Sequence, residues 1–264
     1  MDNLNTYTLI TGGTEGIGLE LAKLFAIDKH NLIIIARNKD KLEEIKVKFE
    51  KRYRIIVEII QSDLCVDNAC EKIIKIVEEK NFIVDNLINN AGIGSFGFFS
   101  EAEEGFEEKI ININITTLTT LTKYFIKGMI KRGQGGILNV ASTAAFVGGP
   151  KMSMYYSSKA YVLSLTEALH DEVKELGIRV SCLCPGPVKT LFQEKAGIKK
   201  SEKAKKYLMD ASNVADEAYL GFTKGKAIIV PGYKNKLLVL GNKLIPRALS
   251  RKIILKSNSG YILK

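Results

Sequence analysis

Leu32–Ala36 reads Leu-Ile-Ile-Ile-Ala, too short for a buried helix and apolar on both sides of an extended chain. Tyr7–Thr11, Ile55–Ile60, Val84–Ile88, Ile137–Ala141, Arg179–Cys184 and Ala227–Val230 are similarly short, rich in apolar residues and without regular polar–apolar alternation. Strands covered on both faces look like this, whereas a strand with one wet face alternates. Between the runs the apolar spacing turns helical: Ile17, Leu21, Leu24 and Phe25, then Leu42, Ile45 and Phe49, then Ile73, Ile74 and Val77 behind a candidate cap at Asp67. Strand and helix therefore alternate, and right-handed crossovers between them build a parallel sheet with helices on both sides. The unbroken alternation predicts an α/β fold of one domain over 1–264, a doubly wound parallel sheet of seven strands.

Ser100 and Glu103 have capping-box spacing ahead of a long helix expected to reach Met129. A second covers Tyr155–Leu176, with Gly177 placed to end it. Pro185-Gly186-Pro187 then breaks the chain. Residues 189–211 are charged and partly helical, with Leu191, Phe192, Ile198, Tyr207, Leu208 and Met209 as an apolar face, and are expected to form a lid. Val214–Leu220 reads as a short helix, whereas Leu237–Leu255 carries the least decided pattern.

With 46% hydrophobic and 26% charged residues, the chain is not of a disordered class. Its formal charge is +10, and Glu217 is its last acidic side chain. The basic segment 234–264 could draw anionic ligands or weak association with an anionic surface, although a solvated lysine-rich face is the simpler reading. No aromatic stacking pattern or nucleic-acid motif accompanies that charge, so no nucleic-acid partner is expected. Cys65, Cys70, Cys182 and Cys184 do not make a disulfide framework, and neither His30 nor His170 stands at zinc-ligand spacing from them. No metal is expected. The amino terminus lacks the pattern of an export leader, and no apolar run is long enough for an integral membrane segment, which predicts a cytoplasmic protein.

The first strand runs into Thr11-Gly12-Gly13-Thr14-Glu15-Gly16-Ile17-Gly18. In that setting Gly12 permits the tight turn, Gly16 lets backbone approach a pyrophosphate, and Gly18 brings the helix close to the sheet. The unpaired N–H groups at the helix start make an anion site. A dinucleotide is the expected ligand. The second strand ends Ala36-Arg37-Asn38, where a carboxylate would hold two free ribose hydroxyls and a cation would hold a 2′-phosphate. Arg37 therefore favours NADP(H) over NAD(H), with Glu15 a mild objection that could instead accept a hydroxyl hydrogen bond.

Ser142 lies just beyond a strand, and Tyr155 and Lys159 share a helical face four residues apart. A lysine ammonium near the phenol would lower its pKa toward a useful range, and Ser142 could hydrogen-bond a substrate oxygen. These groups can pass a proton to a carbonyl while hydride reaches its carbon.

The combination resembles the short-chain dehydrogenase/reductase family over nearly the whole chain. The family's glycine pattern falls on Thr11–Gly18, its adenine-side acid on Asp63 beside Leu64, and its sheet-stabilising motif on Asn89-Asn90-Ala91-Gly92. Its catalytic set falls on Asn114, Ser142, Tyr155 and Lys159, although Asn112 offers a second alignment for the asparagine. Pro185, Gly186, Val188 and Thr190 match the loop that holds the nicotinamide amide and pyrophosphate.

The resemblance implies a Rossmann fold with sheet order 3-2-1-4-5-6-7. Tyr155 would be the acid in reduction, Ser142 would polarise the carbonyl, Lys159 would hold ribose hydroxyls, and Asn114 would help hold a water. It also implies a homodimer through the two long helices, with a tetramer through the last strand as the larger assembly. Ala144, Phe146, Met152, Met154, Phe192 and Met209 favour an apolar ketone or aldehyde as the small-molecule substrate. The leading expectation is an NADPH-dependent carbonyl reductase. The alternatives are an NAD-dependent alcohol dehydrogenase and a non-catalytic dinucleotide sensor.

Overall fold

The computed structural model describes residues 5–198 and 208–259. Strand β1 (Thr6–Thr11) leads into α1 (Gly16–Ile27), β2 (Asn31–Ala36) into α2 (Lys39–Tyr53), and β3 (Val57–Gln61) into α3 (Ala69–Glu79). After β4 (Ile83–Asn89) come α4 (Phe106–Ile111), a π-helical turn at Asn112–Thr117 and α5 (Leu118–Arg132), which form one interrupted helix. The chain continues through β5 (Gly135–Val140), α6 (Ser153–Val173), β6 (Ile178–Leu183), the short α7 (Phe192–Lys195), α8 (Ala211–Thr223) and β7 (Ile228–Ile229). It then forms two further helices, α9 (Tyr233–Leu244) and α10 (Arg247–Ser259).

The strands form a single sheet in the order β3-β2-β1-β4-β5-β6-β7, every neighbouring pair parallel. This is a single-domain, doubly wound Rossmann fold. Side chains alternate across each strand, so β2 sends Leu32 and Ile34 to one face and Ile33 and Ile35 to the other. The first face packs with Leu21 and Phe25 of α1 and Phe222 of α8. The second packs with Ile73 of α3 and with Leu121 and Phe125 of α5. Apolar burial on both sides is what the uniform runs required.

Two helix starts differ from the sequence expectation. Asp67 does not cap α3, which follows Asn68 in a left-handed conformation and has no side-chain cap. Ser100 lies in a single 3₁₀ turn, and α4 instead begins after Gly105, whose φ of +77° suits glycine. The unreadable carboxyl-terminal segment is helical, as α9 and α10. Among the described residues no helix is long and apolar enough to cross a membrane.

The sheet order reverses beside β1, so α1 and α4–α5 leave on opposite sides and a crevice opens at the carboxyl ends of β1 and β4. The glycine-rich turn and the Asn90–Gly92 segment both lie there.

Candidate active site

The turn after β1 is held from across the crevice. Asn90 donates from its side-chain amide to the carbonyls of Thr11 and Gly12, each at 3.0 Å. The Thr11 hydroxyl accepts from the backbone N–H groups of Asn90 and Ala91, also at 3.0 Å each. A Cβ on Gly18 would lie 2.4 Å from both the Asn90 amide nitrogen and the Gly12 carbonyl oxygen, so the close helix–turn approach requires glycine there. Gly12 and Gly16 have φ of +67° and +58°. No side chain caps α1, leaving its first N–H groups directed into the turn. A bare, uncapped helix start behind a glycine cradle fits a dinucleotide pyrophosphate.

Glu15 does not present a free negative charge there. Burial raises its carboxyl pKa, but the Lys195 hydrogen bond and charge, aided by Lys41 at 3.5 Å, outweigh that and hold it below the usual range. Arg37 is exposed at the end of β2, Asn38 caps α2 by accepting from the Lys41 N–H at 2.9 Å, and Asp63 is exposed beyond β3. The Asp63 carboxylate accepts from the Cys65 N–H, and the buried Leu64 lends its carbonyl to Thr117.

Asn114 sits inside the π-helical turn and is buried. Its amide donates to the Ile93 carbonyl and to the Ser158 hydroxyl, both at 2.9 Å, and its oxygen accepts from the Ile93 N–H at 3.0 Å. The extra residue in the helix turns this side chain toward the β4 loop. Asn112 instead reaches the Cys65 carbonyl, on a different side from Asn114. A Cβ on Gly92 would lie 3.2 Å from the Asn114 oxygen and 3.3 Å from the Lys159 ammonium, placing those two polar atoms beside the Gly92 backbone.

Lys159 is buried and donates from its ammonium to the Val140 carbonyl at 2.8 Å. It lies 5.8 Å from the centre of the Tyr155 ring. Burial lowers its pKa to about 8. The half-buried Tyr155 is pushed up to about 12 by desolvation, against the opposing pull of the Ser142 hydroxyl. The expected lowering of the phenol by Lys159 is therefore absent from this arrangement: loss of water dominates, and the ammonium is spent on a carbonyl. Ser142 accepts from the Ala144 N–H at 3.1 Å and reaches the Pro185 carbonyl at 3.4 Å.

The chain beyond β6 folds over the crevice. Val188 and Met209 form a bridge, and Thr190 lies over Gly16, whose Cβ would be 3.0 Å from its methyl group. Pro185 also accepts from the Thr143 N–H, while Gly186 leaves space that Asn235 of α9 fills. Phe192 of α7 packs on Tyr155 with ring centres 5.4 Å apart, and both rings close on Gly94. Beside them is a pocket of about 280 Å³ whose lining includes Phe96, Phe98, Phe99, Phe106 and Met152, with Lys151 and Lys195 at its edge.

The short chain dehydrogenase family model matches residues 6–201, most of the chain, including every strand from β1 to β6. The chain belongs to the short-chain dehydrogenase family. This is a family of oxidoreductases. A very-long-chain 3-oxoacyl-CoA reductase-like protein of Arabidopsis thaliana is 36% identical over 204 residues, covering 74% of this chain and 64% of that protein. The rat very-long-chain 3-oxoacyl-CoA reductase is 30% identical over 186 residues, 69% of this chain and 59% of its own length. The chain thus spans about three fifths of those relatives. Among solved structures, a short-chain dehydrogenase from Sphingobium yanoikuyae in complex with NADPH is 30% identical, with a TM-score of 0.80 over 87% of this chain and 89% of that one. A bulky-bulky ketone specific alcohol dehydrogenase from Comamonas testosteroni is 27% identical, with a TM-score of 0.76 over 94% and 97%.

Several residues that build this candidate site escaped sequence reading. Thr11 ties the two loops of the crevice, and Ser158 and Ile93 hold Asn114. Thr11 abuts the glycine pattern and Ser158 abuts Lys159, but neither position announces its partner. The aromatic wall at 96–106 was missed because its residues lie mainly in irregular chain without a period. Of the expected pocket residues, Met152 does line the pocket and Phe192 covers Tyr155, whereas Ala144 is buried, Phe146 packs into the core and Met209 packs beside Val188. Tyr207 lies outside the described residues.

Proposed function

We propose that this chain is an NADP(H)-dependent oxidoreductase that reduces an apolar ketone or aldehyde, with Tyr155 as proton donor. The carrying observation is that the Ser142 hydroxyl acts on the Tyr155 phenol beside the buried Lys159, in the crevice whose other wall is the bare start of α1. When bound, the nicotinamide supplies or accepts the hydride. Ser142 holds the carbonyl oxygen and Tyr155 gives it a proton. The raised phenol pKa favours that direction, because the donor stays protonated at neutral pH, whereas alcohol oxidation requires the phenolate.

Thr14, Glu15 and Ile17 would hold the pyrophosphate with the three glycines, and Asp63 and Leu64 would meet the adenine end. Asn90, Ala91 and Gly92 form the opposite wall, and Pro185, Gly186, Val188 and Thr190 would hold the nicotinamide end. Exposed Arg37 and the capping Asn38 support the phosphorylated cofactor, as does the NADPH complex of the Sphingobium relative. Lys159 would hold the ribose hydroxyls. The Asn114 amide fixes the backbone beside it.

Four phenylalanines in the adjoining pocket support an apolar substrate, and the ketone and 3-oxoacyl substrates in the relatives' names are of that kind. The lid reading for 189–211, of which 199–207 lie outside the described residues, rests on Thr190 and Phe192, which lie against both halves of the crevice. A homodimer through α4–α5 and α6 accounts for the exposed Ile111, Ile130 and Tyr161 on those helices. The test is a panel of ketones and aldehydes followed by NADPH consumption, with NADH in parallel. Turnover of an apolar carbonyl with NADPH supports the reading. Equal or better use of NADH, or no turnover across the panel, overturns it.

A further inference from the structure

Helix α9 buries one side and leaves the opposite side apolar. Val239 is buried, and Asn235 reaches inward to the Pro231 carbonyl at 2.8 Å. On the opposite side, Tyr233, Leu237, Leu240 and Leu244 recur at the spacing of one face and are 69%, 63%, 55% and 80% exposed. Globular folding does not leave four large apolar side chains in one solvated row without a use for them.

Helix α10 has the same plan. Ser250 and Asn258 are buried on its inner side, where Asn258 donates to the Pro150 carbonyl at 2.8 Å. Leu249 and Ile253 are about half exposed outside, with Lys252 and Lys256 on the same face. The inner faces thus anchor both helices to the domain, leaving their outer faces uncovered by the described residues.

The charge around these faces has one sign. No acidic residue follows Glu217, while ten lysines and arginines do. Glu217 itself meets Lys236 at 3.4 Å and accepts from the Gly232 N–H, so that carboxylate is already engaged. A second copy docked by a two-fold axis through this face would set cations against cations, with no acid on either helix to relieve them. An anionic lipid surface takes both features together: leucines enter the acyl boundary and lysines meet headgroups. Twelve residues make α9 about 18 Å long, which suits lying in the interface and falls short of the hydrocarbon core.

We propose that the outer faces of α9 and α10 form a docking surface for an anionic lipid bilayer, with Leu237, Leu240 and Leu244 inserted. This inference does not depend on the reductase reading. The test is flotation of the full chain with vesicles of phosphatidylcholine alone, or with about 30% phosphatidylserine, at low salt and at about 0.5 M salt. Expected are co-flotation with the serine-containing vesicles, little with phosphatidylcholine alone, and a loss of several-fold at high salt. Leu237→Gln with Leu240→Gln and Leu244→Gln should weaken binding about tenfold or more while melting like the unaltered chain. Should the triple variant fail to fold, Leu244→Gln alone, at the most exposed position, should still weaken binding about threefold. Lys243→Glu with Lys252→Glu and Lys256→Glu should remove the preference for anionic vesicles. The proposal is overturned by absence of flotation, by glutamine variants that float like the parent, or by light scattering that shows an oligomer which those variants dissociate.

Discussion

Tyr155 and Lys159 depart from their ordinary pKa values for the same reason, loss of water, and in opposite directions. Tyr155→Phe removes the proton donor with almost no change of shape, so turnover is expected to fall roughly 10²–10⁴-fold. Cofactor affinity should change less than about twofold, and near-normal turnover would remove the tyrosine from the mechanism. With the phenol near 12, carbonyl reduction should hold steady through neutral pH, while alcohol oxidation should rise about tenfold per pH unit well below that value. Stopped assays in both directions from pH 6 to 10 check this; a reduction rate already falling near neutrality would contradict a high-pKa donor. Lys159 makes a separate demand on stability. Its folded pKa of about 8 lies below its ordinary 10.5, so between those values the unfolded chain binds more protons and folding stability rises with pH. Lys159→Met should lack this rise, a difference on the order of 3 kcal/mol across the window, read from denaturant melts at pH 7 and pH 10.

At the scale of elements, the crevice is a strand end, a helix start and a loop pinned together by Thr11 and Asn90. Gly18→Ala would drive a methyl group into the Asn90 amide and the Gly12 carbonyl. The expected result is a stability loss of about 1–3 kcal/mol and a parallel loss of cofactor affinity, seen in denaturation and in cofactor titration. An alanine variant with parental midpoint and affinity would show that the close approach is not required. Gly18 was readable in advance because spacing from Gly12 fixes its place in the turn. The strands were readable for a similar reason: uniform apolar runs such as Leu32–Ala36 admit few other settings. Helix starts were not. Asn68 and Gly105 begin α3 and α4 through left-handed backbone, so the side-chain caps suggested by Asp67 and by Ser100 with Glu103 have no part there. Nor does any periodicity announce the π-helical turn, because the partners that hold its Asn114 come from the β4 loop and from α6. Propensity along the chain cannot report contacts between segments so far apart in sequence.

Across the whole molecule, cofactor choice should be visible as linkage to folding. A ligand at about 100 times its dissociation constant adds about 2.7 kcal/mol to stability, or roughly 5–10 °C for a domain of this size. Glu15 is neutralised by Lys41 and Lys195, which span the β1 turn, α2 and α7, so the repulsion it would offer a phosphate is damped by parts of the chain distant in sequence. The exposed Arg37 then ends β2, where a 2′-phosphate would lie if the cofactor is the phosphorylated one. At equal concentration NADPH should raise the melting temperature more than NADH does. Arg37→Ala should cut the NADPH shift while leaving the NADH shift within about 1 °C, because the lost contact is specific to the extra phosphate. A larger shift with NADH in the unaltered chain would reverse the cofactor assignment. An Arg37→Ala variant that keeps its full NADPH shift would move the phosphate contact elsewhere, with Lys41, held near the turn by Glu15, the next cation to replace.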